Sequence, residues 1–338
     1  MPRGVGSPIV SKAMKKSVRM TGDRTKLIYS RQPLGLWQDS YVPSILATKG
    51  EAPNISGARR IFSLKLGRTL HCLSPAEASL ARLADYHPAV FEVHEQKMLS
   101  PFPAPHPLDG HPRSKGLFLP PIKGTLDVLE REGIAQKQGR IQIRQTKDAD
   151  QYTDVAIPYI GDLLLFLEDQ EGPYCLNWNI KSTAEGFEVA PRDSLRKTRG
   201  LTPSERAQLE RQYYLDAGIR TLDLTPDKFS SQFLDNLTWI FSQLESLEEN
   251  PAPFNHTLFK FFQSAFATKP SSSPNELIAL AASQHSYPEP YIKRQFWGCI
   301  WTRQLSVELF EPIFNDAPLQ PQAKDPLAFY DFYFRRQS

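Results

Sequence analysis

The sequence predicts a mixed α/β module over residues 56–226, followed by a mostly helical module over residues 227–338. Three observations lead to this fold class. The chain has 338 residues, which suggests two domains at about 100–200 residues each, and 40% hydrophobic residues supply enough apolar material for a core. In the first module, segments that alternate like strands are interleaved with segments that carry helix-capping signals. In the second, apolar residues follow helical spacing.

Composition excludes several classes of protein. No apolar run approaches the ~20 residues of a membrane-spanning helix, and the N-terminus lacks the apolar stretch of a secretion signal. The cysteines, Cys72, Cys175 and Cys299, are too few and too scattered for a disulfide framework or a CxxC zinc site. We therefore expect a cytoplasmic protein that does not bind membranes.

Positive charge is concentrated at the N-terminus. Residues 1–70 carry 13 Lys/Arg and three Asp/Glu, a net of +10, whereas the whole chain has a net charge of +3. Residues 1–55 show no sustained periodicity, so we expect a basic, partly ordered arm. Such a segment on a near-neutral body indicates a polyanionic partner, most often nucleic acid, although a solvated charged tail has the same composition.

The α/β module is predicted to begin with a strand, a helix and a second strand. Residues 61–66 largely alternate apolar and polar side chains, as in a short strand. Ser74 is a good N-cap and Pro75 suits the first helical position, which predicts a helix from Pro75 to about Tyr86. Residues 89–99 alternate again and predict a further strand.

A hairpin and a helix–strand pair complete this module. Residues 100–160 form a long insertion, Pro-rich in its first part and ambiguous in its second. Residues 161–168 and 174–181 predict two strands joined by the turn DQEGP. Thr202 is the N-cap of a helix that stops near Gly218, and a strand follows over IRTLDLT.

The C-terminal module contains two short helices, a turn and a longer helix. This order suits a winged-helix or helix-turn-helix unit and equally a small all-α packing domain, which periodicity does not separate. Residues 227–338 carry nine Lys/Arg and twelve Asp/Glu, a net of −3. Because a DNA-reading domain is usually basic, this charge favours the binding of a protein partner.

Four polar residues of the α/β module stand where a site can form. Glu77 lies on the first helix, and Asp162 opens an otherwise apolar strand. Asn179 and Lys181 are two residues apart on the next strand and therefore point to the same face. Metal-dependent hydrolysis of a phosphodiester needs carboxylates that hold Mg²⁺, and a lysine that positions water or offsets phosphate charge.

Each of these residues also has a plain structural interpretation. Glu77 stands at the N3 position of a capping box, and Asp162 follows a glycine, as turn aspartates do. Lys181 can be a solvated lysine at a strand end. Asn179 is less ordinary, because asparagine is poorly suited to strands.

Residues 56–241 resemble the TnsA family, the endonuclease subunits of heteromeric cut-and-paste transposases. The resemblance rests on five segments in order: RRIFSLKLGRTLHCLSPAEASL, AVFEVHEQ, GDLLLFLEDQEGPYCLNWNIK, LERQYYLDAGIRTLDLT and DNLTWIF. It implies a nuclease domain with a type II restriction-endonuclease fold. Carried over by position, the helix carboxylate is Glu77, the metal-binding aspartate Asp162, the third position Asn179 and the lysine Lys181.

The resemblance also implies a cofactor and partners. The cofactor would be Mg²⁺, or Mn²⁺ in its place, and the substrate would be double-stranded DNA, cut at the 5′ ends of a transposon. A DDE-type, TnsB-like transposase would cut the 3′ ends, and a TnsC-like AAA+ ATPase would contact the C-terminal domain. The resemblance further implies a bacterial protein of the cytoplasm.

The sequence departs from the family pattern at two places. The third position is usually Gln, Asp or Glu, and Asn179 is one methylene shorter than Gln. Mg²⁺ also accepts backbone carbonyls, and Ile180 can supply one beside the two carboxylates. Asp154, in the long insertion, competes for the aspartate position. The 19-residue step from Asp162 to Lys181 fits one hairpin, which favours Asp162.

Three functions are therefore open: the transposase endonuclease, a stand-alone DNA repair or restriction nuclease of the same fold, and a catalytically inactive DNA-binding adaptor. Asn179 keeps the adaptor alternative open, whereas an adaptor has no need of both carboxylates and the lysine. His71 and His94 flank the site in sequence, and we expect both to be structural.

Overall fold

The computed structural model describes residues 20–53, 57–144, 151–188, 200–244 and 253–336. In these ranges the strands are β1 (Arg59–Ser63), β2 (Arg68–Cys72), β3 (Val90–Glu95), β4 (Met98–Leu99), β5 (Arg140–Arg144), β6 (Tyr152–Ala156), β7 (Tyr159–Ile160), β8 (Leu163–Asp169), β9 (Gly172–Ile180) and β10 (Arg220–Leu224). The helices are α1 (Gly22–Arg31), α2 (Pro75–Tyr86), α3 (Thr125–Arg131), α4 (Pro203–Leu215), α5 (Ser231–Leu244), α6 (His256–Thr268), α7 (Pro274–Gln284), α8 (Glu289–Trp301) and α9 (Pro326–Phe329). A mixed α/β part followed by a helical part is thus confirmed.

The central sheet has four strands in the order β10–β9–β8–β3. β8 and β9 form the predicted antiparallel hairpin, with Leu163 opposite Trp178. β10 runs parallel to β9, and β3 runs antiparallel to β8. The C-terminal ends of β9 and β10 therefore lie at the same edge of the sheet as the N-terminal end of β8.

Alternation along β9 gives the sheet an apolar face and a partly polar one. Leu176, Trp178 and Ile180 are buried in the core that includes α2 and the C-terminal helices. Asn177 and Asn179 point to the opposite face, which α4 covers. This division leaves polar side chains at one end of an otherwise apolar layer.

The local signals that start and stop helices are confirmed. Ser74 precedes α2, and its hydroxyl accepts the N–H of Glu77 at 3.2 Å. Thr202 and Glu205 form a capping box at the start of α4. Gly218, with a φ of 72°, turns the chain from α4 into β10, a conformation that glycine adopts without steric cost.

The N-terminal part of the chain carries more structure than its pattern indicated. α1 lies within the expected arm and buries Ile28, and the hydroxyl of Tyr29 donates to the carbonyl of Ala156 on β6 at 2.9 Å. The single strand expected over residues 61–66 is instead the end of β1 and the turn of the β1–β2 hairpin. Residues 1–19 of the expected arm lie outside the described residues.

The C-terminal helices share a core with the central sheet. The indole N–H of Trp178 donates to the carbonyl of Tyr333 at 3.1 Å, and Tyr86 of α2 packs edge-on against Trp301 of α8. After α8, the β-pairing in the described residues is one bridge between Val307 and Pro321. A winged-helix assignment therefore stays a prediction. Within the described ranges, no helix combines the length and apolar character that crossing a bilayer requires.

Candidate active site

The structure brings Asp162 and Lys181 together at one edge of the central sheet. Asp162 directly precedes β8, and Lys181 directly follows β9. Oδ2 of Asp162 accepts hydrogen bonds from the backbone N–H of Ile180 at 2.7 Å and from Nζ of Lys181 at 3.3 Å. The register of the hairpin therefore determines where the carboxylate meets the ammonium.

The ammonium of Lys181 lies among three oxygens. Besides Oδ2 of Asp162, Nζ has Oδ1 of Asn179 and the carbonyl of Ile180 as acceptors, each at 3.0 Å. An ammonium has three donors, so all of them are used. At Gly186 an added Cβ would stand 3.1 Å from Cβ of Lys181, so the backbone packs closely on the lysine stem. Side-chain freedom at this position is correspondingly small.

Glu77 is tied to the same edge through Gln96. Oε2 of Glu77 accepts from the side-chain amide of Gln96 at 2.9 Å, and the backbone N–H of Gln96 donates to the carbonyl of Asp162 at 2.9 Å. The carboxylate also accepts from the N–H of Leu73 at 2.7 Å and the hydroxyl of Ser74 at 2.9 Å. The expected capping box is thus half formed: Ser74 caps α2, while the carboxylate of Glu77 bonds to Leu73 and Gln96.

The environment of Glu77 disfavours its charge. The residue is 7% exposed, and burial, with the nearby carboxylate of Asp162, raises the pKa of Glu77 to about 7. Hydrogen bonds from Leu73 and Ser74 and the charge of Lys181 oppose this rise. Protons and cations compete for a carboxyl group with such a raised pKa, and groups of this kind are typical of functional sites.

Asn179 is held by a residue that sequence reasoning missed. Nδ2 of Asn179 donates to Oδ1 of Asp223 at 2.9 Å, and Oδ2 of Asp223 accepts from Arg211 at 2.8 Å. Asp223 lies beside Asn179 in the parallel β9–β10 register. The alternation of IRTLDLT predicts that Asp223 lies on one face of its strand. No feature of the sequence indicates that this strand lies beside β9.

Glu210 of α4 is a second carboxylate that sequence reasoning missed. Oε1 accepts from Nδ2 of Asn177 at 2.9 Å, and the residue is 2% exposed. Burial raises the pKa of Glu210 to about 7, with Arg206 opposing and Asp162 adding to the rise. A Cβ at Gly161 would stand 3.0 Å from Oε1 of Glu210. The glycine before Asp162 therefore leaves space for this carboxylate.

The other residues considered from the sequence lie apart from this group. Asp154 is on β6 and pairs with Arg140 of β5 at 3.0 Å on the protein surface. Nδ1 of His71 accepts a backbone N–H of the arm at 2.9 Å. The buried ring of His94 stacks on Tyr41 at 3.8 Å between ring centroids. The hairpin that carries Asp154 is a separate two-stranded sheet.

The oxygens at this edge suit a hard divalent cation. Oδ2 of Asp162, Oδ1 of Asn179 and the carbonyl of Ile180 already surround one positive charge, and Mg²⁺ takes oxygen ligands of these types. In the described part of the chain, no three or more His, Cys, Asp and Glu residues group as metal ligands. A cation at this edge would therefore have at most two acidic ligands among the described residues, with neutral oxygens completing the set.

Comparison with known proteins assigns the chain to no family. No family model matches it, and no curated protein matches it at a significant level. The resemblance to TnsA thus stays a prediction from the five sequence segments, and the geometry of the site is the independent observation beside it.

Proposed function

We propose that this chain is a metal-dependent DNA endonuclease, the subunit of a heteromeric transposase that cuts the 5′ ends of the transposon. The observation that supports catalysis most directly is the convergence at one sheet edge of Asp162, Asn179 and Lys181, with Glu77 linked through Gln96. A scaffold without turnover has no requirement for a buried carboxyl group whose pKa is raised to about 7 beside a second carboxylate and a lysine.

Each side chain has a separate task in this proposal. Glu77, Asp162 and the carbonyl of Ile180 hold Mg²⁺ or Mn²⁺. When bound, the ion activates water and stabilises the leaving oxygen. Lys181 is 38% exposed at its side chain, so a phosphate that enters from solvent approaches its ammonium and replaces one of the three present acceptors. There it offsets the negative charge that develops on the phosphodiester.

The partners follow from charge and from the resemblance. Residues 1–19 carry five Lys/Arg and no Asp/Glu, which suits phosphate contacts along double-stranded DNA. The module over residues 227–338 has a net charge of −3, which suits a protein partner, the TnsC-like AAA+ ATPase. A TnsB-like DDE transposase completes the proposed assembly by cutting the 3′ ends.

A plasmid cleavage assay tests the proposal. The full chain is incubated with Mg²⁺ and a plasmid that carries the transposon ends, with and without the two partner proteins, and 5′-end cuts are mapped. The proposal expects cuts at the ends that depend on Mg²⁺ and on the partners. Cleavage without ends or partners would indicate a stand-alone nuclease, and DNA binding without cleavage in Mg²⁺ or Mn²⁺ would indicate an adaptor.

A further inference from the structure

We propose that Asp223 is a positioning residue, which fixes the side-chain amide of Asn179 so that its oxygen faces Lys181 within the candidate active site, where it is available to a bound cation. The inference rests on the proposed metal-dependent function. It starts from the contacts of Asn179: Oδ1 lies 3.0 Å from Nζ of Lys181, and Nδ2 lies 2.9 Å from Oδ1 of Asp223.

The chemistry of the two neighbours leaves one orientation of this amide. A lysine ammonium only donates hydrogen bonds, so the atom that faces Lys181 must be the amide oxygen. An ionised carboxylate only accepts, so the atom that faces Asp223 must be the amide nitrogen. A flipped amide would set N–H groups against the ammonium and the oxygen against the carboxylate, and both contacts would be repulsive.

The carboxylate of Asp223 is itself fixed by a second partner. Arg211 of α4 donates to its Oδ2 at 2.8 Å, which leaves Oδ1 for Asn179. The parallel register sets Asp223 beside Asn179, so the backbone of the sheet determines their separation. A chain of contacts therefore runs from Arg211 through Asp223 and Asn179 to Lys181.

This arrangement matters because the third position carries a neutral amide. A carboxylate there presents an oxygen in either orientation, whereas Asn179 presents one only when its nitrogen is engaged elsewhere. Partners that orient a ligand in this way typically contribute about 10–100-fold to metal affinity or activity. Asp223 thus allows the side-chain oxygen of Asn179 to act as a ligand for a cation.

The test measures Mn²⁺ binding to the full chain by calorimetry without DNA, in parallel with plasmid cleavage. Asp223→Ala should weaken Mn²⁺ binding about tenfold or more. Asp223→Asn retains one acceptor oxygen, for which Asn179 and Arg211 compete, so its loss of binding should be smaller than that of Asp223→Ala. Asp169→Ala is the matched control, because it breaks another Asp–Arg pair, with Arg336, at the far end of the β8–β9 hairpin, and it should bind Mn²⁺ as the wild type does.

Exchanging the amide and the carboxylate between positions 179 and 223 tests whether Mn²⁺ binding can be rescued. Asn179→Asp alone sets two carboxylates against each other and should weaken binding, whereas Asn179→Asp with Asp223→Asn restores a donor facing an acceptor and should regain it. Equal binding by Asp223→Ala and wild type, equal losses in Asp223→Ala and Asp223→Asn, or no Mn²⁺ binding by the wild type would each overturn the inference. Mn²⁺ binding with the expected pattern but without any DNA cleavage would reject the proposed nuclease and leave the role of Asp223 intact.

Discussion

The hairpins β8–β9 and β5–β6 invite comparison, because each pairs one aspartate with one basic residue. Oδ2 of Asp162 lies 3.3 Å from Nζ of Lys181, and Oδ2 of Asp154 lies 3.0 Å from Arg140. The side chains of the first pair are 19% and 38% exposed, and those of the second are 45% and 50% exposed. Distance therefore does not separate the two pairs, but their surroundings do.

Surface ion pairs of the second kind contribute about 0–1 kcal/mol to stability and need no further role. The first pair has additional oxygens from Asn179 and Ile180 on the same ammonium, and a buried carboxyl group, Glu77, nearby. The comparison teaches that a candidate catalytic pair is identified by the groups that converge on it.

The largest expected effect separates the two hairpins directly. Asp162→Ala and Lys181→Ala should each lower the single-turnover rate of 5′-end cleavage by about 10³-fold or more, since each removes a group that acts on the reacting phosphate or its metal. Asp154→Ala and Arg140→Ala should leave the rate within about twofold, because their pair is at the surface. Normal cleavage by Asp162→Ala with loss in Asp154→Ala would move the aspartate role to the other hairpin.

Glu77→Gln sharpens the comparison, since Glu77 lies near Asp162 of the β8–β9 hairpin. The hydroxyl of Ser74 still caps α2 in this variant, so the melting temperature should change by only a few degrees. The negative charge of the proposed metal ligand is lost, so the cleavage rate should fall by about 10²-fold or more. A fully active Glu77→Gln protein would mean that this carboxylate has a structural role only.

The pH dependence of stability should also distinguish the two regions. Both Glu77 and Glu210 have a pKa raised to about 7 in the folded chain, above the ordinary value of 4.5 that applies when it unfolds. The folded state therefore binds more protons between these values, and the free energy of unfolding should fall as pH rises from about 4.5 through 7 and then level off. The loss should be on the order of 1–3 kcal/mol per group.

Urea denaturation at pH 5, 6, 7 and 8 in the presence of a chelator measures this fall. Glu210→Gln should flatten the profile relative to the wild type, and Asp154→Asn should leave its shape unchanged. A wild-type profile that rises between pH 5 and 8, with the same slope in Glu210→Gln, would show that this carboxyl group is ionised in the folded chain.

The smallest effect concerns the β5–β6 hairpin. The half-buried hydroxyl of Tyr29 on α1 donates to the carbonyl of Ala156 at 2.9 Å and so ties the N-terminal helix to β6. Tyr29→Phe should lower the free energy of unfolding by about 1 kcal/mol. The exposed Tyr152→Phe on the same hairpin is the control and should be neutral. Cleavage should be unchanged in both, and a loss of activity in Tyr29→Phe would link the β5–β6 hairpin to the site.

Local signals predicted the elements well, because their physical cause lies within a few residues. Ser74 and Pro75 start α2, Thr202 starts α4, and the turn between the apolar runs 161–168 and 174–181 makes the hairpin. The site residues on those elements could therefore be named before the fold was known.

What could not be predicted depends on neighbours that are distant in sequence. Asp223 meets Asn179 only because β10 lies beside β9, and Glu210 meets Asn177 only because α4 covers that face. α1 was missed since its ten residues give too short a window for a clear periodicity. Packing of α1 on the β5–β6 hairpin stabilises this helix, and the sequence of α1 alone does not indicate that packing.

The neutral amide at position 179 also affects the net charge of the candidate active site. When a cation replaces the proton of Glu77, the formal charges of Glu77, Asp162 and Lys181 sum to −1, and Asp223 is paired with Arg211. A divalent cation among them leaves +1, which equals in magnitude the single negative charge of a phosphodiester, whereas a carboxylate at position 179 would leave none. The asparagine thus strengthens the attraction of the metal-loaded site for the proposed DNA substrate.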